Sequence, residues 1–270
     1  YTWYRTLTID KDKVPNTNQT NFPFLVSSTI VDLKTVANGG DVTDAQGDDI
    51  IVANTSGTKL DHEVEGYTAT TGLWNAWVEV PTVSTSVNTV TCLNYANSAV
   101  TTTQENVNGT WNGNYKSVYH LKEDPTATCS GTNEICDSTV TAEHADALAM
   151  EAGDQAAGKI GGALTFGGTD EYLDMGSVTT FDFGTTQDFT VSAWFKTSTA
   201  SDMRLMTNGT FGATSGWRVS LGASAQMRFG IGNAGNNANS TLSDTTSTYN
   251  DNAWHLVTVA VKQSDETHRI

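Results

Sequence analysis

Basic residues are scarce in this chain: 14 lysines and arginines stand against 30 aspartates and glutamates, a formal net charge of −16 over 270 residues. Nucleic-acid phosphates and anionic membrane surfaces need compensating positive charge, so both are excluded as partners. No apolar run approaches the ~20 residues of a membrane-spanning helix, and no signal segment opens the sequence. The first residue is Tyr1 rather than methionine, so the chain reads either as one whose leader was removed or as a piece of something longer. Three cysteines are too few for a disulfide scaffold. Cys129 and Cys136 bracket a short polar loop, CSGTNEIC, which one bridge could close. Cys92, in TVTCLNY, reads as a small buried strand residue with a free thiol. A zinc site from Cys129, Cys136 and His144 lacks a fourth ligand and fits no standard spacing.

Catalytic motifs are missing as well. There is no Gly-x-Ser-x-Gly elbow and no phosphate-binding glycine loop. The five histidines are scattered, and His120 and His255 fall inside strand-like runs, where a satisfied structural histidine is expected. Glycosidic hydrolysis needs two carboxylates facing one groove, ~5 to 10 Å apart. No Glu-x-Asp-x-x-Glu run supplies them, and Glu171 and Asp174, three apart, point to opposite faces of a strand. The expectation is a protein that is not an enzyme.

What the chain has is strand and turn chemistry. Thr, Asn, Gly, Ser and Val dominate, no charged amphipathic helix is legible, and the length suffices for two domains with separate cores. Strands are expected at Trp3–Ile9, Phe22–Val26, Gly47–Ala53 with a hairpin return over Leu60–Val64, Gly72–Pro81 and Asn88–Tyr95. In the fourth, Ala76, Val78 and Val80 share one face and Trp77 and Glu79 the other. Ile30–Ala37 reads equally as a short helix or an extended piece. Residues 97–114 lack apolar periodicity, with Trp111 standing alone. A further strand is expected over Tyr115–Leu121. The most patterned stretch, GKIGGALTFGGTDEYLDM from Gly158 to Met175, reads as two strands about a Gly167-Gly168-Thr169-Asp170 turn. Phe189–Phe195 and Trp254–Val261 are strongly strand-like, with Trp194 and Trp254 expected in the core.

The order GKIGGALTFGGTDEYLDMG, FTVSAWFKTS, GWRVSL and NAWHLVTVAV resembles the laminin-G-like, concanavalin-A-like jelly-roll family over roughly the C-terminal half. The series YRTLTID, FPFLVSS, GDDIIVANTSGTKLDHEVEGY, LWNAWVEVP and NTVTCLNYANS resembles the domain-of-unknown-function family 2341 over about residues 1 to 100, with Tyr95-Ala96-Asn97-Ser98 departing from that family's usual terminal turn. The first resemblance implies an extracellular sandwich that often holds calcium and binds glycans or proteins. The second implies a surface-exposed β domain that commonly precedes such a sandwich. Together they imply an all-β chain of two β-sandwich domains, the second a laminin-G-like jelly roll: an N-terminal domain over 1–100, a linker over 101–114 and the jelly roll over 115–270, its closing strands missing.

From the resemblance, Asp137 and Asp170 fall where many relatives place calcium ligands; the alternative is that both are ordinary turn aspartates. Sugar recognition needs aromatic faces and loop amides, for which Trp217, Tyr249, Asn233, Asn236, Asn237 and Asn239 are the candidates. The functional expectation is a non-catalytic protein, extracellular or on a cell or virion surface, that recognises glycans or cell-surface polymers with calcium as a structural aid. The alternatives are a self-assembling structural subunit of a surface layer, pilus or virus particle, and an accessory domain of a larger carbohydrate-active enzyme.

Overall fold

The structure, a computed structural model, describes residues 1–183, 186–209, 216–233, 236–243, 246–263 and 267–270. It divides into two compact units, Tyr1–Met175 and Gly176–Ile270, and the fold is all-β with a sandwich in each.

The first sandwich uses β1 (Trp3–Ile9), β2 (Gln19–Thr29), β3 (Ile51–Asn54), β4 (His62–Thr68), β5 (Leu73–Val83) and β6 (Thr89–Tyr95). They form two antiparallel sheets, ordered β1-β6-β3 and β2-β5-β4. Leu33, Ile50, Val52, Trp74, Ala76, Val78 and Leu93 pack between them. In β5 the strand period of two places Trp74, Ala76, Val78 and Val80 inward and leaves Trp77 and Glu79 half-buried on the opposite face, as the sequence predicts.

The expected hairpin over residues 47–64 turns tightly, the Asn54 amide donating to Thr58 O at 2.9 Å. Its arms then part: β3 pairs with β6, whereas β4 pairs with β5 in the other sheet. Each arm carries apolar residues for one wall of the same core, so the chain crosses between sheets. The true hairpin is β4–β5. It closes at Gly72, which has φ 73° and where a Cβ would run into the Ile30 carbonyl. Of the two readings of Ile30–Ala37 the short helix holds, as two single-turn 3₁₀ helices, Val31–Leu33 and Val36–Asn38.

Residues 101–114 pack onto this sandwich instead of spanning open space, and the division between compact units falls after residue 175. The reason is the exposed edge of β4. The Asn106 amide donates to His62 O at 3.0 Å, and Val64 N donates to Glu105 Oε1 at 2.6 Å, so backbone groups that a neighbouring strand would satisfy find partners here. The short helix α1 (Val107–Thr110) follows, and Trp111 is buried. The expected strand over Tyr115–Leu121 reduces to one bridge, Tyr119 to Asp137, because Leu121 turns left-handed at φ 56°.

Four short strands complete the unit: β7 (Asp146–Leu148), β8 (Gln155–Ala157), β9 (Gly162–Leu164) and β10 (Tyr172–Asp174). Both strands expected in Gly158–Met175 form, but they do not pair with each other; β9 pairs with β8 and β10 with β7.

The second unit contains β11 (Phe189–Phe195), β12 (Met203–Asn208), β13 (Gly216–Leu221), β14 (Met227–Asn233), β15 (Asn236–Ser243), β16 (His255–Lys262) and β17 (Thr267–Arg269). Its sheets are ordered β11-β16-β17 and β12-β13-β14-β15. Phe189, Phe195, Val257 and Val259 from the first meet Trp217, Val219, Leu221 and Phe229 from the second in one core.

Cys129 and Cys136 form a disulfide, their Cα atoms 5.8 Å apart, and Cys92 is a half-buried free thiol. Closing so short a loop restricts the unfolded chain by about 2–3 kcal/mol. Replacing both cysteines with alanine should therefore lower the first unit's stability by about that amount in chemical denaturation.

Candidate functional site

The sequence FTVSAWF alternates so that Phe189, Val191, Ala193 and Phe195 face the core while Thr190, Ser192 and Trp194 face outward. Opposite them in β16, Leu256, Thr258 and Ala260 are exposed. The register sets Trp194 beside Leu256 and Ser192 beside Thr258. The outer face of this sheet thus presents a Trp194 side chain 39% exposed, an adjoining aliphatic group and a row of hydroxyls. An exposed indole flanked by hydroxyls can stack on a C–H face and bond to hydroxyl groups. Trp194, expected in the core, is therefore corrected to a surface residue.

The converse correction applies to Trp217. It is 8% exposed, in ring contact with Phe183 and Phe189, and its Nε1 donates to Phe181 O at 3.2 Å. Trp217 shares the inward phase of β13 with Val219 and Leu221. Tyr249 is half-buried against the same core and meets His255 edge-on. The backbones of Asn233, Asn236 and Asn239 lie in β14 and β15, as does that of Asn237, but these four side chains lie outside what is described. Trp217 and Tyr249 thus form no exposed binding surface.

Asp137 is 5% exposed and fully engaged. Its Oδ1 accepts from Val118 N and Thr139 N, both at 2.9 Å. Its Oδ2 accepts from Thr139 Oγ1 and Glu143 N at 2.9 and 3.0 Å, while the Thr141 hydroxyl, 3.2 Å away, gives its one proton to Lys116 O at 2.7 Å. Four donors occupy the lone pairs a calcium ion would need, so Asp137 is corrected to a loop organiser. Asp170 is an exposed turn residue, and neither aspartate belongs to a group of three metal-binding side chains among the described residues. The one such group there is Cys129, Cys136 and His144, with ligand atoms within 4.8 Å of one another. The sulfurs are bonded to each other, and His144 Nδ1 accepts from Asp137 N at 3.0 Å. That acceptor role puts the imidazole proton on Nε2, so the group does not fit a metal.

The arrangement that sequence reasoning missed lies in the first unit. Glu63 and Glu65 stand on β4, and His120 lies between them, with Nε2 3.0 Å from Glu63 Oε2 and Nδ1 3.5 Å from Glu65 Oε2. The first contact lies at hydrogen-bond distance but off the ideal angle, so charge attraction adds to a bent hydrogen bond. Glu63 also accepts from Trp111 Nε1 at 2.6 Å and Ser138 Oγ at 2.7 Å, and Glu65 from Trp77 Nε1 at 2.8 Å. Lys122 Nζ donates to Val64 O at 3.1 Å. Burial alone would lower the His120 pKa, but the hydrogen bonding and charge of Glu63 and Glu65 outweigh it and raise it to about 9. Burial would raise Glu63, yet His120, Trp111 and Ser138 hold it below its ordinary value. Two acids at alternate positions, Glu63 and Glu65, were the available signal. The cluster is buried, its histidine and carboxylate side chains at most 6% exposed.

With this geometry in place, comparison with known proteins adds one finding. Residues 167–270 match the family model of the concanavalin A-like lectin/glucanases superfamily, and the second sandwich is accordingly a laminin-G-like jelly roll. No curated protein and no solved structure matches the chain.

The buried cluster predicts a pH profile. His120, raised above its ordinary 6.5, contributes stability that is fully present below pH 6.5 and lost as pH rises through about 9. Glu63, lowered, contributes stability present above its ordinary 4.5 and lost as pH falls through its folded value. Thermal melts should place the first unit's maximum between these limits. His120→Leu, which strands two buried carboxylates, should cost about 3–5 kcal/mol in urea unfolding.

Proposed function

We propose that this protein is a non-catalytic extracellular recognition protein that binds glycans or cell-surface polymers through the outer face of the β11–β16 sheet. The observation that carries the reading is exposed Trp194 in a segment that matches a lectin and glucanase superfamily. The hydroxyls of Thr190, Ser192 and Thr258 supply donors and acceptors along the same face. The disulfide suits an oxidising, extracellular compartment. The resemblance of residues 1 to 100 to a surface-exposed domain family supports the same setting. Glu63 and Glu65 support a non-catalytic role, being committed to His120 and closed to solvent. Calcium finds no support at Asp137, so recognition is proposed to be independent of it.

A self-assembling structural role is the second reading. It is favoured by β1, a sheet-edge strand whose Trp3 and Tyr4 are 53% and 67% exposed. Size-exclusion chromatography with light scattering separates the two: a recognition protein elutes as a small species, an assembly subunit as a large one.

On a glycan array, the native protein should bind at least one polysaccharide saturably, equally in calcium and in EDTA. Trp194→Ala should weaken that binding at least tenfold while the far-ultraviolet circular dichroism spectrum stays that of the wild type. Binding abolished by EDTA, or untouched by Trp194→Ala, would overturn the assignment.

A further inference from the structure

The first unit holds a cleft of about 480 Å³, a volume within the range of small-molecule sites. One wall is the loop carrying Gln46 and Asp48, the floor is β4 with His62 and Tyr67, and the other wall carries Gln104 and Glu105. The loop is rigidly built: Asp44 accepts from Gln46 N and Asp48 N, and Asp49 accepts from Thr43 N, Thr43 Oγ1, Asp44 N and Asn97 N. The Tyr67 hydroxyl donates to Leu33 O at 2.7 Å, which fixes its ring in the wall. Gly47 packs so closely on that ring that a Cβ would lie 2.8 Å from it.

Two groups of the lining are left without protein partners. His62 is 1% exposed, and its Nδ1 lies 3.2 Å from Leu60 O, to which it donates. Burial lowers its pKa, so the ring is neutral and Nε2 is a bare acceptor with no partner among the described residues. The Asp48 carboxylate likewise receives no protein donor among the described residues. Burial and the charges of Asp44, Glu105 and Asp49 raise its pKa, a repulsion that a bound cation would relieve. Glu105 is by contrast engaged with Val64 N and Thr103 Oγ1, and Lys59 is bonded to Gln104 O.

The cleft therefore offers acceptors, negative charge and an aromatic wall. Among the described residues, no three carboxylate or imidazole ligand atoms of the cleft come within 4.8 Å of one another. The acceptors are spread over a space that suits an organic cation with several donors. We propose that this cleft is a second binding site, independent of the Trp194 face, for an aminohexose carrying a free primary ammonium group. The ammonium pairs with Asp48, ring hydroxyls donate to His62 Nε2 and the Gln46 amide oxygen, and the sugar's apolar face lies on the Tyr67 wall.

Calorimetric titration of the full chain with D-glucosamine near neutral pH tests this, with N-acetylglucosamine, glucose and lysine methyl ester as separate arms. Glucosamine should bind saturably and at least tenfold more tightly than either neutral sugar, and more tightly than lysine methyl ester. Added salt should weaken it, Asp48→Asn should weaken it at least tenfold, and Trp194→Ala should leave it unchanged. Should Asp48→Asn not fold, the wild-type His62 imidazole signals, followed by NMR during titration, carry the test by shifting only with glucosamine. No saturable binding, equal binding of the neutral sugars, equal binding of the lysine ester or indifference to Asp48→Asn would each overturn the proposal.

Discussion

The buried ion cluster of Glu63, His120 and Glu65 ties two halves of the first unit together. Residues 111–139 have little regular structure, so they cannot hold their place by a ladder of backbone bonds. They hold it by side chains: Trp111 and Ser138 both reach Glu63, and His120 lies between the two carboxylates. Such a cluster adds little net stability compared with an apolar core of the same shape, but removing any one member leaves the others charged and buried. It therefore specifies where this irregular segment docks more than it contributes to how tightly.

Asp137 serves the same assembly one step further out. By collecting four donors it folds the 118–143 loop into the shape that delivers Ser138 to Glu63. An Asp-Ser-Thr turn that resembles part of a calcium site is here a polar bracket. The distinction rests on counting lone pairs: a carboxylate already surrounded by amides and hydroxyls has nothing left for a metal, whereas Asp48, with no protein donor among the described residues, keeps its acceptors for something else.

Function, on the proposed reading, is carried by surfaces of different character in the two units. The β11–β16 face is flat, aromatic and hydroxyl-bearing, suited to a long chain lying across it. The cleft is acidic and small, suited to a single charged residue. The excess of acidic groups favours a cation in the cleft.

The sequence by itself determined the all-β class, most strand positions, the Cys129–Cys136 bridge as an option and the inward face of β5, because each depends on local chemistry: a period of two, turn residues and short loop spacing. The β11 strand itself was legible, but the expectation of a core Trp194 set aside the alternation that places it with exposed Thr190 and Ser192. Tertiary structure alone decided that the Gly158–Met175 strands pair with others, that residues 101–114 cover the β4 edge, and that Trp217 and Asp137 are structural. These depend on partners far away in the chain: Glu63 and Ser138 are 75 residues apart, and Trp217 and Phe181 are 36 apart. Hydrogen-bond saturation and burial are properties of such pairs, and periodicity within one segment carries no information about who the other partner is.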